Sequence, residues 1–82
     1  MSVKVYGADW CGLTTRTLTY LDELGVPYEY IDVDSDKKGS EWVKKQNGGK
    51  EKKPTLDIAG LILSEPTNME LEAALRSQKI LT

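Results

Sequence analysis

Apolar and polar residues alternate over Val3-Lys4-Val5-Tyr6, a period of two that predicts a short strand, and Gly7-Ala8-Asp9 interrupts it. From Gly12 to Leu24 the period changes. Leu18, Leu21 and Leu24 fall at helical spacing with no Pro or Gly between them, and Gly25 with Pro27 after it is a stop signal. Tyr28-Glu29-Tyr30-Ile31-Asp32-Val33 is rich in aromatic and β-branched residues, which predicts a second strand. Strand, helix and strand in so short a span predict a right-handed βαβ unit with a parallel pair.

Asp34, Ser35 and Asp36 are N-cap candidates for a second helix that carries Trp42 and Val43, whose first turn Gly39 weakens and whose Trp42 is expected in the core. Gly48-Gly49 ends it. After a lysine-rich loop, Thr55 to Ile58 and Leu61 to Ser64 flank Ala59-Gly60, a tight hairpin turn. Thr67-Asn68-Met69-Glu70 after Pro66 reads as a capping box, with Leu71, Ala74 and Leu75 on one face of a last helix. The predicted order is β-α-β-α-β-β-α, an α/β fold in one domain over residues 1–82.

Composition narrows the chemistry. A chain of 82 residues has surface for one compact core. Its formal charge of −2 and 39% apolar content argue against disorder and against a polybasic nucleic-acid binder. No apolar run approaches the roughly 20 residues that cross a bilayer, and Met1-Ser2-Val3-Lys4 has no signal-type apolar stretch. A cytoplasmic protein, away from membranes and nucleic acid, is expected. One cysteine and no histidine remove an internal disulfide, a Cys/His zinc site and imidazole catalysis. Sulfur chemistry, if present, centres on Cys11.

Cys11 falls where the first strand hands over to the first helix, so its sulfur is expected to face the N–H groups of Leu13 and Thr14. Free thiols titrate near ~8.5, and helix N-termini or cations bring them to ~3.5–7.5. A drop to about 6.5 raises the thiolate fraction at neutral pH roughly 25-fold and costs roughly 8-fold in nucleophilicity, leaving about threefold in attack. The larger gain is in departure, because a stabilised thiolate is the better leaving group. Asp9 opposes the thiolate only if it points inward, and a solvated carboxylate is expected instead. Thr14 shares the face of the first turn with Cys11, and its hydroxyl has two equal options: the sulfur, or a carbonyl one turn back.

Trp10-Cys11-Gly12-Leu13-Thr14, after a strand and opening a helix, resembles the active-site turn of thioredoxin-fold proteins and of glutaredoxins in particular. Asn47-Gly48-Gly49, a four-residue spacer and Pro54-Thr55 resemble the approach to the active-site proline in actinobacterial glutaredoxin-like proteins of the mycoredoxin type. Ser64-Glu65-Pro66-Thr67 at the last helix fits as well. The likeness covers nearly the whole chain and implies a thioredoxin-like four-stranded mixed sheet flanked by three helices. It also implies that Pro54 is cis and lies against Cys11; the rival is a proline merely starting a strand.

The departures matter too. Thr14 stands where dithiol members carry a second cysteine, so the resemblance implies a one-thiol route. Cys11-Gly12-Leu13-Thr14 also echoes the Cys-Gly-Phe-Ser of monothiol members that share a [2Fe–2S] cluster between two subunits, but the insertions and Trp-Pro pair of that class are missing. Lys52-Lys53 replaces the usual Thr-Val before the proline. Lys44 to Lys53 holds five lysines and one glutamate, a local +4 in a chain of net −2. That charge either draws ligand carboxylates, with Lys53 steadying the thiolate, or is a solvated lysine face.

The resemblance thus implies a monothiol oxidoreductase, working as a monomer, that exchanges a low-molecular-weight thiol with protein mixed disulfides. Cys11, Thr14 and Pro54 are the catalytic candidates; Trp10, Leu13, Lys53 and Thr67 are the ligand contacts. The co-substrate is glutathione or mycothiol, with no metal and no permanently bound cofactor. The alternatives are a [2Fe–2S]-carrying dimer and a redox-silent binding module.

Overall fold

The computed structural model describes residues 2–81; Met1, which begins the opening segment, and Thr82 lie outside them. The elements are β1 (Val3–Gly7), α1 (Gly12–Leu24), β2 (Glu29–Asp32), α2 (Lys37–Gln46), β3 (Thr55–Ile58), β4 (Leu61–Ser64) and α3 (Asn68–Ser77), in the expected order. The sheet runs β2-β1-β3-β4. β1 is parallel to β2 and antiparallel to β3, and the β3–β4 pair is antiparallel, so the sheet is mixed as a thioredoxin-like domain requires. β2 is shorter than expected: Val33 still donates its N–H to the Gly7 carbonyl of β1 at 2.9 Å, but the chain turns there, with the Asp32 carboxylate accepting from the Asp34 N–H at 3.0 Å.

Alternation along β1 divides the molecule into two layers. Val3 and Val5, with Leu56 and Ile58 of β3, face Leu21 of α1 and Leu71, Ala74 and Leu75 of α3, all buried in one cluster. Tyr6 faces the other way, toward α2, where its ring stacks on Trp42 with centroids 4.3 Å apart. Trp42 is therefore not the core residue expected. The buried stripe of α2 runs through Gly39 and Val43, one turn apart, which leaves Trp42 half-buried on the flank of the stripe. Gly39, unfavourable for the helix, is there for packing: a Cβ on it would lie 2.9 Å from Ile31 Cγ2.

The turns follow the residue chemistry. Of the three N-cap candidates before α2, Asp36 takes the position and accepts from the Gly39 N–H at 2.9 Å. Ala59 and Gly60 have φ of 51° and 97°, the doubly positive pattern of a tight hairpin. Thr67 and Glu70 form the reciprocal capping box, at 3.1 and 2.8 Å, that opens α3.

Candidate active site

Cys11 is the N-cap of α1, its backbone extended at φ −86° and ψ 118° and its N–H bonded to the Ala8 carbonyl at 3.1 Å. The thiol is half-buried. In its protonated form Sγ is no cap: it donates to the Lys53 carbonyl at 3.7 Å, so helix opening and proline loop meet at the sulfur. For the anion, partial burial alone would push the pKa up. The Thr14 N–H, the Thr14 hydroxyl and the Leu13 N–H, with a smaller contribution from Lys53, outweigh that and hold the thiol below its ordinary value. The first turn of α1 contains no acidic residue to oppose them.

The sequence left Thr14 two options. The bond back to a carbonyl is made by the neighbouring Thr15, whose hydroxyl donates to the Cys11 carbonyl at 3.3 Å. Thr14 is buried, its Oγ1 accepts from the Ala8 N–H at 3.4 Å, and its hydroxyl and amide together favour the Cys11 thiolate. Gly7 makes this placement possible, since a Cβ there would lie 2.5 Å from both Thr14 Oγ1 and Cγ2.

The Lys53-Pro54 bond is cis, and Pro54 is fully buried. Its surroundings are fastened from three directions. Asn47, at the end of α2, donates to the Val43 carbonyl at 2.8 Å and to Thr55 Oγ1 at 3.2 Å, and its carbonyl accepts from the Ser64 hydroxyl. Thr55 Oγ1 donates to the Lys52 carbonyl at 2.8 Å. Glu65, at φ 49°, donates its N–H to the Pro54 carbonyl at 2.8 Å. The Asn47-Gly48-Gly49 signature thus ends α2 with a side chain that ties β3 to β4 beside the proline.

Lys53 departs from the picture of an open cationic patch. Its Nζ lies 2.7 Å from a Glu51 carboxylate oxygen and 3.7 Å from one of Asp34, and its side chain is only 14% exposed. It also sits 4.8 Å from the centroid of the Trp10 ring. Trp10 is 71% exposed, and its Nε1–H donates to Asp34 at 2.6 Å. The Ser40 hydroxyl donates to Glu51 from α2. The Lys53 contact, then the Ser40 hydrogen bond, hold the Glu51 carboxyl low, and the Glu51 contact first, then Asp34, keep the Lys53 ammonium high. Lys44, Lys45 and Lys50 of the same run are exposed, as a solvated face requires.

The remaining candidates separate. Leu13 stands 36% exposed beside Cys11. Thr67 is exposed at the start of α3, where its hydroxyl oxygen serves the capping box; among the described residues no hydrogen bond links it to Cys11, Trp10 or Lys53. Asp9 is exposed but not merely solvated, because it accepts from the Tyr30 hydroxyl at 2.7 Å, away from the sulfur. Gly7, Asp34 and Glu51 were not foreseen in these roles. Glu51 carried one usable signal, being the single acid within the lysine run.

Comparison with known proteins agrees with this geometry. The glutaredoxin family profile matches residues 3–62. Mycoredoxin 1 of Corynebacterium glutamicum is 42% identical over 55 residues, covering 67% of each chain. A candidate glutaredoxin of Mycobacterium tuberculosis is 31% identical over 75 residues, covering 90% of this chain and 89% of its own. Among solved structures, a glutaredoxin of Archaeoglobus fulgidus superposes with a TM-score of 0.81 at 26% identity, covering 92% of this chain and 86% of the other. Glutaredoxin C1 of poplar in its holo form shares the fold, with a TM-score of 0.69 at 22% identity over 93% of this chain and 84% of its own. With the family profile matched over residues 3–62 and a relative 31% identical over 90% of this chain, the chain belongs to the glutaredoxin family.

Proposed function

We propose that this protein is a one-thiol oxidoreductase in which Cys11 exchanges a low-molecular-weight thiol with protein mixed disulfides. The observation that carries the reading is the half-buried Sγ at the N-cap of α1, 3.7 Å from the carbonyl before the cis Pro54. The Cys11 thiolate attacks the small-thiol sulfur of a mixed disulfide. A new disulfide forms between Cys11 and the small thiol, the old S–S bond breaks, and the protein sulfur leaves as a thiolate that takes a proton from water. A second small-thiol molecule, as its thiolate, then attacks the small-thiol sulfur held on Cys11. Cys11 leaves as the stabilised anion, and the two small thiols depart as their disulfide, so the protein substrate is reduced and the small thiol oxidised.

In this reading the Thr14 hydroxyl and the two amides favour that departure. Pro54 keeps the groove beside the sulfur, and Trp10 and Leu13 are its exposed apolar walls. Thr67 contributes by opening α3. The small thiol is glutathione or mycothiol, and the likeness to Mycoredoxin 1 supports mycothiol. The protein works as a cytoplasmic monomer; no helix among the described residues is long and apolar enough to cross a membrane. A [2Fe–2S] cluster held by thiolates takes four of them, and one chain supplies only Cys11, so that assembly needs a second copy and two further thiols.

The test is turnover of a peptide mixed disulfide with glutathione and with mycothiol. Wild type turns over with one of them, while Cys11→Ser is inactive and the protein purified without air is colourless. Absence of turnover with both thiols, together with slow alkylation of Cys11, would overturn the reading in favour of a redox-silent binding module.

A further inference from the structure

Lys53 precedes the cis proline, and Cys11 donates to its carbonyl, so its ammonium is the cation placed to meet a ligand on the sulfur. It is not free to do so. Glu51, at 2.7 Å from the same loop, and Asp34, at 3.7 Å from the turn between β2 and α2, bracket it, and Trp10 underlies it at 4.8 Å. Asp34 holds the Trp10 indole through its second oxygen at 2.6 Å, while Glu51 is itself anchored by Ser40 of α2. One cation between two carboxylates has no charge left to offer a ligand, and the cluster joins the turn before α1, the loop after β2, α2 and the proline loop. An incoming carboxylate meets an ammonium already paired, and an uncharged thiol meets a flat indole.

Resting on the reading that Cys11 is the exchanging thiol, we propose that Glu51 and Asp34 are positioning residues that hold Lys53 as an internal cation, so that the site selects uncharged small thiols over carboxylate-bearing ones. Neutralising either acid releases the ammonium toward the groove, where it pairs with ligand carboxylates and acts more strongly on the thiolate. The charged groups around the clamp are Asp34 and Glu51 against Lys53, the Cys11 thiol beside its carbonyl, and Lys44 of α2 near Glu51.

The experiment compares kcat/KM for peptide mixed disulfides of glutathione and of N-acetylcysteamine, an uncharged thiol, in wild type, Glu51→Gln, Asp34→Asn and both acids in a Lys53→Gln background. Thermal melts check that each variant folds. Glu51→Gln and Asp34→Asn raise the glutathione-to-uncharged ratio by roughly two- to fivefold, the range of a partly exposed ion pair. They also move the midpoint of Cys11 alkylation to lower pH, and both effects vanish without Lys53. An unchanged ratio in folded variants, or a shift that persists in the Lys53→Gln background, overturns the role of the clamp while leaving the activity of Cys11 intact. Wild type that turns over neither of these disulfides, nor that of mycothiol, overturns both.

Discussion

Thr14 places its hydroxyl between two groups: the oxygen accepts from the buried Ala8 N–H at 3.4 Å, and the hydroxyl favours the thiolate of Cys11. Thr14→Val keeps the shape and removes both bonds. It is expected to destabilise the fold by about 1–3 kcal/mol, the cost of an orphaned buried N–H, and to raise the alkylation midpoint of Cys11. Thr14→Ser keeps the hydroxyl and restores both, as denaturant melts and a pH series of alkylation will show. Gly7→Ala acts on the same contact from the other side. Its Cβ, 2.5 Å from Thr14, forces a shift costing about 1–3 kcal/mol and moves the hydroxyl off the sulfur, so stability and thiol acidity fall together. The position of Cys11 and the help of its amides were legible in the sequence, because helix N-termini have fixed geometry. The Thr14 choice was not, since the deciding atom belongs to Ala8 and the space to Gly7.

Elements, in turn, hold the proline loop where the sulfur can use it. Asn47 contributes one side chain to three partners on α2, β3 and β4, so Asn47→Ala is expected to cost roughly 1–3 kcal/mol and to lower activity more than stability explains. Measuring kcat/KM beside the melting curve separates the two effects. Thr67 offers a cleaner division. Thr67→Ala removes a capping box worth about 1 kcal/mol, whereas Thr67→Ser keeps it, and full activity in the serine variant is the outcome expected of a cap. Helix and strand order were legible from periodicity and from Gly and Pro punctuation. Trp42 was misplaced because a period of 3.6 marks a broad apolar face, and only packing shows that Gly39 and Val43 are its centre.

At the scale of the whole molecule, charge and pH decide what is exposed to a ligand. A sum of +4 over Lys44 to Lys53 left open whether the charge draws ligand carboxylates or is a solvated face, and sequence sums do not see Asp34, which arrives from outside that stretch to pair with Lys53. The Glu51 carboxyl is held low and the Lys53 ammonium high, so the clamp is fully formed between the ordinary carboxylate and lysine ranges. Its contribution is lost as pH falls through the lowered Glu51 value or rises through the raised Lys53 value. Cys11 adds a term of its own. Because folding lowers its pKa, the stability of wild type relative to Cys11→Ser rises with pH from that lowered value up to the ordinary thiol range near ~8.5 and is flat above it. Urea titrations of both proteins across that window check the slope.

The most direct measurement is the rate of Cys11 alkylation by iodoacetamide as a function of pH in the wild-type protein. The account predicts a single titration with its midpoint clearly below that of a free thiol, shifted upward in Thr14→Val. A midpoint at or above the free-thiol value would contradict it.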